Sequence, residues 1–214
     1  MPEITSLDAS VDRPEASAPS DASTSSSLPG PFNWALRGRC YKLGDDVPHP
    51  DGVIPAHFVT AREMDPQVLV PHLFEATDPG FSSRCQPGDL IVTGRNFGTG
   101  PKGNGYIAMH ALGLGLLCES MSVQAYRAAI STGLRVLSPC PGITTLCDTG
   151  EDIAIDFLTG VFTNHTRGTT TMFAPVPPAL RDLIAQGGNA GWLEHWWRQR
   201  SATSTDHAQA VSTT

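Results

Sequence analysis

The residues of this chain best suited to chemistry lie in a glycine-rich loop, 94–105, which reads GRNFGTGPKGNG. An apolar strand, Asp89–Thr93, is predicted before the loop and an apolar helix, around Tyr106–Leu112, after it. Lys102 is one of two lysines in the chain and lies inside this loop. Its ammonium group could bind a carboxylate or a phosphate, and a solvated loop lysine is the alternative interpretation.

The loop also contains a literal GxGxxG pattern, formed by Gly98, Gly100 and Gly103. With the acidic Glu119 about twenty residues further on, this pattern is typical of a dinucleotide site, where backbone N–H groups approach a pyrophosphate. Two features count against it. Residues 94–97 separate the pattern from the strand, and Pro101 has no N–H to donate. Nucleotide binding therefore remains an alternative, behind a structural turn.

The histidines indicate weaker candidates for a site. His49 and His57 occur near Asp45, Asp46 and Asp51, and such a group could bind a metal. Aspartate and proline in a loop more often form turns, so turn formation is the preferred interpretation. His110 falls on the apolar helix after the glycine-rich loop and is interpreted as a core histidine rather than a catalyst.

The cysteines are odd in number, irregular in spacing and contain no CxxC pair; they are Cys40, Cys85, Cys118, Cys140 and Cys147. This pattern argues against a disulfide framework. It also argues against a zinc or iron–sulfur site made by this chain alone. Any metal must come from another chain.

The elements that position the loop alternate between strand and helix. Strands are predicted at Arg37–Lys42, Asp89–Thr93, Gly113–Glu119 and Arg135–Leu137. Helices are predicted within Asp65–Ala76, where Pro71 counts against continuity, and at Tyr106–Leu112, Ser120–Ser131, Pro178–Gln186 and Trp192–Arg198. Ser120 or Ser122 is expected to cap the helix at Ser120–Ser131. Asp152–Phe157 and Gly160–Asn164 should form a hairpin. The alternation favours an α/β fold with parallel βαβ units, a mixed sheet and a β-rich extension.

Composition divides the chain of 214 residues into a core, 34–200, and two tails, 1–33 and 201–214, predicted to be disordered because they are polar and rich in small residues. The first thirty residues lack the apolar run of a signal peptide, and no stretch suits a membrane span. The formal net charge is -7 without a basic cluster, which argues against nucleic acid and anionic membrane as partners. The sequence therefore predicts a soluble cytoplasmic protein.

Five stretches between residues 37 and 195 read RGRCYKLGDD, VIPAHF, DPGFSSRCQPGDLIVTGRNFGTG, ESMSVQAYRAAISTGLRVL and FAPVPPALRDLIAQGGNAGWLEH. In this order they resemble the small subunit of 3-isopropylmalate dehydratase and the swivel domain of aconitase. Sequences of that family read approximately RGKVWKFGDN, IIPGRYL, DPEFA followed by GDIIVAGKNFGCGSSREHA, then ESFARIFYRNAINIGLPVL and PLPEFLLEILEAGGLVEYL. Residues 78–100 carry the most specific part of the resemblance.

The resemblance implies an aconitase-type swivel domain and a two-component hydro-lyase acting on a hydroxy-polycarboxylic acid. It implies no cofactor on this chain and a [4Fe–4S] cluster in a partner, the large dehydratase subunit, over which the small subunit closes. In the family, a serine of the SSRE segment is the base, and the neighbouring arginine pairs with a substrate carboxylate. A positioned base and a bidentate cation suit proton abstraction next to a carboxylate.

The chain departs from the family at this segment. Where the family has CGSSREHA, residues 99–106 read TGPKGNGY, without both serines and the arginine. Thr99 precedes the expected place of the base and Tyr106 follows it. We therefore expect Lys102 and Thr99 to be catalytic residues. The expected substrate-binding residues are Gly98, Gly100, Lys102 and Arg62. A non-catalytic paralogue that binds a large subunit is the second hypothesis.

Overall fold

The structure is a computed structural model that describes residues 32–101 and 103–211, with side chains up to Arg200. Residues 1–31 of the predicted tail 1–33 lie outside the described residues. Lys102 and residues 212–214 lie outside them as well. Among the described residues, no helix combines the length and the apolar character needed to cross a membrane.

A seven-stranded sheet forms the framework, with strands β1 Ala35–Lys42, β2 Leu90–Thr93, β3 Gly115–Cys118, β4 Arg135–Leu137, β5 Asp152–Asp156, β6 Val161–Asn164 and β7 Thr169–Met172. The order across the sheet is β4-β3-β2-β1-β5-β6-β7. Strands β1 to β4 are parallel, whereas β5, β6 and β7 are each antiparallel to the preceding neighbour in the sheet. The predicted mixed α/β sheet is therefore confirmed.

The parallel half of the sheet carries most of the apolar strand surface. Ile91 of β2 lies between Tyr41 of β1 and Leu116 of β3, which in turn pairs with Val136 of β4. All residues of β2 and β3 are buried, as continuous apolar runs covered on both faces should be. These strands form the centre of the core.

The antiparallel half shows the alternation expected of strands with one face in solvent. In β5, Ile153 and Ile155 are buried while their neighbours are half-buried, and β6 pairs with it as the predicted hairpin. Strand β7 was not predicted. Its sequence, TTTM, is exposed or half-buried throughout and so lacks an apolar face that a pattern could reveal.

The helices are α1 Ala56–Ala61, α2 Pro66–Leu69, α3 Phe81–Arg84, α4 Asn104–Ala111, α5 Val123–Ser131, α6 Ile143–Leu146, α7 Pro178–Ala185 and α8 Gly188–Val211. Helices α4 and α5 connect β2 to β3 and β3 to β4, which completes two βαβ units. The Ser122 hydroxyl caps α5 by accepting the Ala125 N–H, as predicted. The helices α1, α3 and α6 were missed because they have only 6, 4 and 4 residues, too few to show a helical period.

Two predicted helices differ in length. The Asp65 carboxylate caps α2 by accepting the Gln67 N–H, but the helix ends at Leu69 and Val70–His72 forms a 3-10 turn. Pro71 explains the break because it has no N–H to donate. Helix α8 begins at Gly188 and continues into the segment predicted as a tail, 201–214. The disorder of that segment stays a prediction.

Candidate functional site

Three loops meet at the carboxyl ends of neighbouring parallel strands. They are 43–54 after β1, 94–103 after β2 and 119–122 after β3. In open α/β sheets, ligands bind at this edge of the strands. The glycine-rich loop is the middle one of the three, so its neighbours can hold it from both sides.

The loop after β1 holds the glycine-rich loop through backbone hydrogen bonds. The Asp46 N–H donates to the Arg95 carbonyl at 2.8 Å, and the Gly98 N–H donates to the Val47 carbonyl at 2.8 Å. The His49 N–H donates to the Thr99 carbonyl, also at 2.8 Å. Repeated main-chain bonds fix the position of the backbone without using side chains that chemistry could need.

Aspartates of the first loop add side-chain bonds to the same pairing. The Asp45 carboxylate accepts the Arg95 N–H at 2.8 Å and pairs with the Arg95 guanidinium at 2.8 Å. These bonds hold the pKa of Asp45 below its ordinary value, the backbone N–H contributing first. The Asn96 amide donates to Asp46 at 2.8 Å, and Asp51 accepts the Ala56 N–H at 2.8 Å.

These aspartates therefore act in loop pairing and turns, which supports the preferred interpretation of the Asp- and His-containing segment. Among the described residues, no group of three or more His, Cys, Asp or Glu side chains could hold a metal ion. The absence of a metal site in the whole chain stays a prediction.

The loop after β3 supports the other side of the glycine-rich loop. The Phe97 N–H donates to the Ser120 carbonyl at 3.1 Å, and the Asn96 N–H donates to the Ser120 hydroxyl at 3.1 Å. Phe97 is fully buried between these loops. The sequence suggested Ser120 as a possible helix cap, but its hydroxyl instead accepts the Asn96 N–H of the glycine-rich loop.

The structure brings three of the predicted site residues together at this edge. Gly98 is buried with a φ of +72°, Thr99 is exposed, and Gly100 is exposed with a φ of +90°. Such positive φ values favour glycine because a Cβ atom crowds the backbone there. The Thr99 side chain therefore stands at the surface of a turn flanked by glycines, while Lys102 lies outside the described residues.

Arg62, the predicted substrate-binding cation, is separate in sequence but its segment reaches the same loop. It ends α1 with a φ of 54° and an exposed side chain. The Asn104 amide, at the start of α4, donates to the carbonyls of Phe58 and Glu63, which flank this turn. The turn that carries Arg62 is thus attached to the end of the glycine-rich loop.

The three glycines of the GxGxxG pattern do not form a phosphate cradle in this arrangement. The Gly98 N–H is already donated to Val47, and Pro101 has none. Strand β2 ends at Thr93, so four residues separate it from Gly98. The geometry therefore argues against the nucleotide-binding alternative.

Tyr106 is a residue of this site that the sequence placed only by its position after the loop. It is fully buried in the first turn of α4, and its ring lies 4.8 Å from the ring of His49, centroid to centroid. The Gly105 N–H contacts the His49 Nε2 at 3.2 Å. The sequence showed only that a tyrosine follows the glycine-rich loop. It could not show where the hydroxyl group of that tyrosine lies.

The cysteines are not arranged as ligands for an iron–sulfur cluster. All five are buried, and the Sγ atoms of Cys40 and Cys147 lie 3.6 Å apart between β1 and the end of α6. Burial raises the pKa of the Cys118 and Cys140 thiols, which disfavours the thiolates that such clusters require. The donor set of this chain thus does not fit a cluster.

Comparison with known proteins identifies relatives that match more than two thirds of the chain. The small subunit of 3-isopropylmalate dehydratase from Moorella thermoacetica is 36% identical over 155 residues, which are 72% of this chain and 91% of that protein. The small subunit of 2,3-dimethylmalate dehydratase from Eubacterium barkeri is 33% identical over 159 residues, 73% of this chain and 95% of that protein. No family model matches the chain.

The fold gives the same result. The crystal structure of 3-isopropylmalate dehydratase from Methanocaldococcus jannaschii matches with a TM-score of 0.69 and 27% sequence identity. The match covers 79% of this chain and 99% of that one. The resemblance read from the five sequence stretches is confirmed, and the chain belongs to the small-subunit family of 3-isopropylmalate dehydratases, which are two-component hydro-lyases.

Proposed function

We propose that this chain joins a large subunit to dehydrate and rehydrate a hydroxy-polycarboxylic acid. The observation that supports this most directly is the glycine-rich loop at the carboxyl ends of β1, β2 and β3, held from both sides by backbone bonds. In the resembling family, the corresponding segment carries the base and the cation. A loop fixed in this way can present few but well-positioned groups to a substrate.

We further propose that a [4Fe–4S] cluster belongs to the large subunit, because the buried and scattered cysteines of this chain do not fit one. When bound there, such a cluster would supply a Lewis acid for the hydroxyl group of the substrate. The part of this chain is then to close over the acid and bind its carboxylates.

The proposed residues divide this task. Gly98 and Gly100 lack side chains and so let the loop backbone approach the substrate. Lys102 is proposed as the cation that binds a substrate carboxylate, with Arg62 as a second cation on the attached turn. Thr99 is proposed as a catalytic hydroxyl or, more modestly, as a residue that shapes the turn.

The named relatives suggest which acids to test. One relative is a dehydratase of 3-isopropylmalate and another of 2,3-dimethylmalate. Both acids are malates with apolar substituents and two carboxylates. We propose a substrate of this class for the present chain.

A specific observation favours a second candidate, a non-catalytic paralogue. Residues 99–106 lack the serines and the arginine of the SSRE segment. A chain without this machinery could still bind and stabilise a large subunit. Activity with both substituted malates separates the two candidates, since the paralogue would form the complex and leave it inactive.

The decisive experiment measures kcat/KM of the co-expressed complex with 3-isopropylmalate and with 2,3-dimethylmalate. Lys102→Ala should lower kcat/KM by about 10–100-fold, because a hydrogen bond to a charged group contributes about 1.5–3 kcal/mol. Lys102→Arg should retain part of the activity, and Thr99→Ala should have the smaller effect. Wild-type rates from Lys102→Ala would exclude this role for Lys102 and direct the search to Arg62 or Arg95.

A further inference from the structure

The helix α8 exposes a cluster of large apolar side chains. Trp192 is 45% exposed, Leu193 57%, Trp196 37% and Trp197 66%, and we call these four residues the tryptophan cluster. Because residues three and four positions apart are neighbours on a helix, the four side chains share one side of α8. Together they present about 400 Å² of apolar surface, the size of the largest patch on a typical monomer, and such patches often mark an interaction site.

The tryptophan cluster lies outside the core of its own domain. Every described side chain from Trp192 to Arg200 is exposed, whereas Gly188, at the start of α8, is buried. The domain therefore covers only the beginning of the helix. Most helices owe their stability to packing of an apolar side, so the apolar side of α8 should be covered by another chain.

Helix α8 starts at the edge of the sheet opposite the candidate site. A Cβ atom built on Gly133, in the turn before β4, would lie 2.7 Å from the Gly187 carbonyl carbon and 2.9 Å from the Gly188 nitrogen. This close contact places the start of α8 at the amino end of β4, whereas the glycine-rich loop follows the carboxyl end of β2. The proposed large subunit has to cover the carboxyl edge. The tryptophan cluster therefore suits a different partner.

A groove along the tryptophan cluster carries charges of both signs. Its volume is about 630 Å³, and Leu193 and Trp197 line it together with Glu194 and Arg198. The two charged side chains are exposed and pair within the helix at 3.2 Å. A groove with an acid and a base four positions apart is complementary in charge to a copy of itself that runs in the opposite direction. A two-fold axis at Trp196 would bring Glu194 of each copy to Arg198 of the other.

We propose that the tryptophan cluster is the interface of a homodimer, in which the α8 helices of two copies pack antiparallel around Trp196. The apolar side chains are then removed from water, and two reciprocal ion pairs set the direction of packing. The patch is smaller than the standard interface of about 800 Å² per partner, so the dimer should dissociate in the micromolar range rather than be obligate. The carboxyl edge of each sheet stays open to a large subunit.

Sedimentation velocity of the full free chain, over a range of concentrations, tests the dimer directly. The wild type should dimerise, and Trp196→Ala should raise the dissociation constant by about 10-fold or more because the central contact is lost. Alanine favours a helix more than tryptophan does, so unfolding of α8 would not explain this effect. Met172→Ala is the matched control, since Met172 is 71% exposed on β7 and should not affect association.

Charge reversal separates this two-fold interface from other kinds of self-association. Glu194→Arg and Arg198→Glu shift the net charge in opposite directions, yet each places like charges opposite one another and should weaken association by about 10-fold. An equimolar mixture of the two variants should dimerise again, because each copy with two arginines then faces a copy with two glutamates. Pairing within one helix cannot produce this result, since neither variant keeps its own pair.

Four results would overturn the proposal. A wild type that stays monomeric well above the micromolar range excludes the dimer. Single variants that dimerise like the wild type place the interface elsewhere, and a mixture that stays monomeric excludes the antiparallel arrangement. Trp196→Ala that blocks binding of the large subunit and leaves a dimer of the free chain intact assigns the surface to that subunit. None of these measurements depends on dehydratase activity, so the proposed function is tested separately.

Discussion

The two halves of the sheet hold their connecting segments by different means. At the carboxyl ends of β1, β2 and β3, main-chain bonds such as Gly98 N–H to Val47 fix the loops. In the antiparallel half, main-chain bonds such as Phe173 N–H to Gly160 are supplemented by a cluster of charged side chains, larger than the Asp45–Arg95 pair of the parallel half. Arg167 pairs with Asp148 at 2.5 Å and with Glu151 at 2.8 Å, next to the β6–β7 turn.

The difference bears on which half of the sheet is the better candidate for a binding site. At the parallel edge, apart from the side-chain pairs Asp45–Arg95 and Asp46–Asn96, the exposed Thr99 side chain and the glycines beside it leave room for a ligand. Where side chains pair with each other, they are committed and cannot also bind a ligand. Of the two halves, the parallel one therefore offers the better candidate site, and three experiments can test this comparison.

The largest effect is expected in the core of the parallel half. Leu116 of β3 is fully buried between β2 and β4, so Leu116→Ala should lower the free energy of unfolding by about 2–5 kcal/mol. Met172 of β7 is 71% exposed, and Met172→Ala should change it by less than about 0.5 kcal/mol. Denaturant unfolding of the free chain measures both. Similar costs would mean that the two halves share the core equally.

An intermediate effect is expected from glycines with positive φ. Gly98→Ala should cost about 1–3 kcal/mol, since φ is +72° and the new Cβ meets the Tyr106 hydroxyl. Gly168, in the β6–β7 turn, has a φ of +67° and open space around its Cβ, so Gly168→Ala should cost less. Adding Tyr106→Phe to Gly98→Ala should recover part of the loss. If the two glycines respond alike, the contact with Tyr106 has no energetic weight.

The smallest effect is expected from the ion pairs and depends on pH. Hydrogen bonds from Lys42 and Arg167 hold the pKa of Asp148 below its ordinary value, and Arg167 does the same for Glu151. Carboxyls with lowered pKa stabilise the folded state above their unfolded pKa, near 4, and lose this contribution as pH falls through the folded pKa.

Arg167→Ala should therefore lower Tm slightly at pH 7, and the difference from the wild type should shrink on acidification below about pH 4. Arg198→Ala is the control, because Arg198 and Glu194 form an exposed pair on α8 whose loss should change Tm little. A difference that stays constant from pH 7 to pH 3 would show that Arg167 acts through packing rather than charge.

Much of the fold could be predicted because its signals are local. The apolar runs of β2 and β3, the Ser122 cap of α5 and the break at Pro71 depend on residues adjacent in the chain. Strand β7 and the short helices α1, α3 and α6 were not predicted because their sequences carry no such local signal. Strand β7 lacks an apolar face and is defined by its pairing with β6, and the short helices have too few residues to show a period.

The site was predicted less completely than the fold. Its glycine-rich loop was identified from composition. The sequence also predicted that Asp45, Asp46 and Asp51 form turns. Their partners were not predicted, because Asp45 and Arg95 are separated by 50 positions and meet through the pairing of β1 with β2. No pattern within one segment contains that information.

By itself, the sequence determined the family, the alternation of strands and helices, and the departure from the family at residues 99–106. Each of these follows from residue types and their order along the chain. The tertiary structure alone decided that the Gly98 N–H is occupied by Val47 and that the Tyr106 hydroxyl lies beneath Gly98. Such contacts join segments that only the order of strands in the sheet brings together, and burial then determines which polar group is left without a partner.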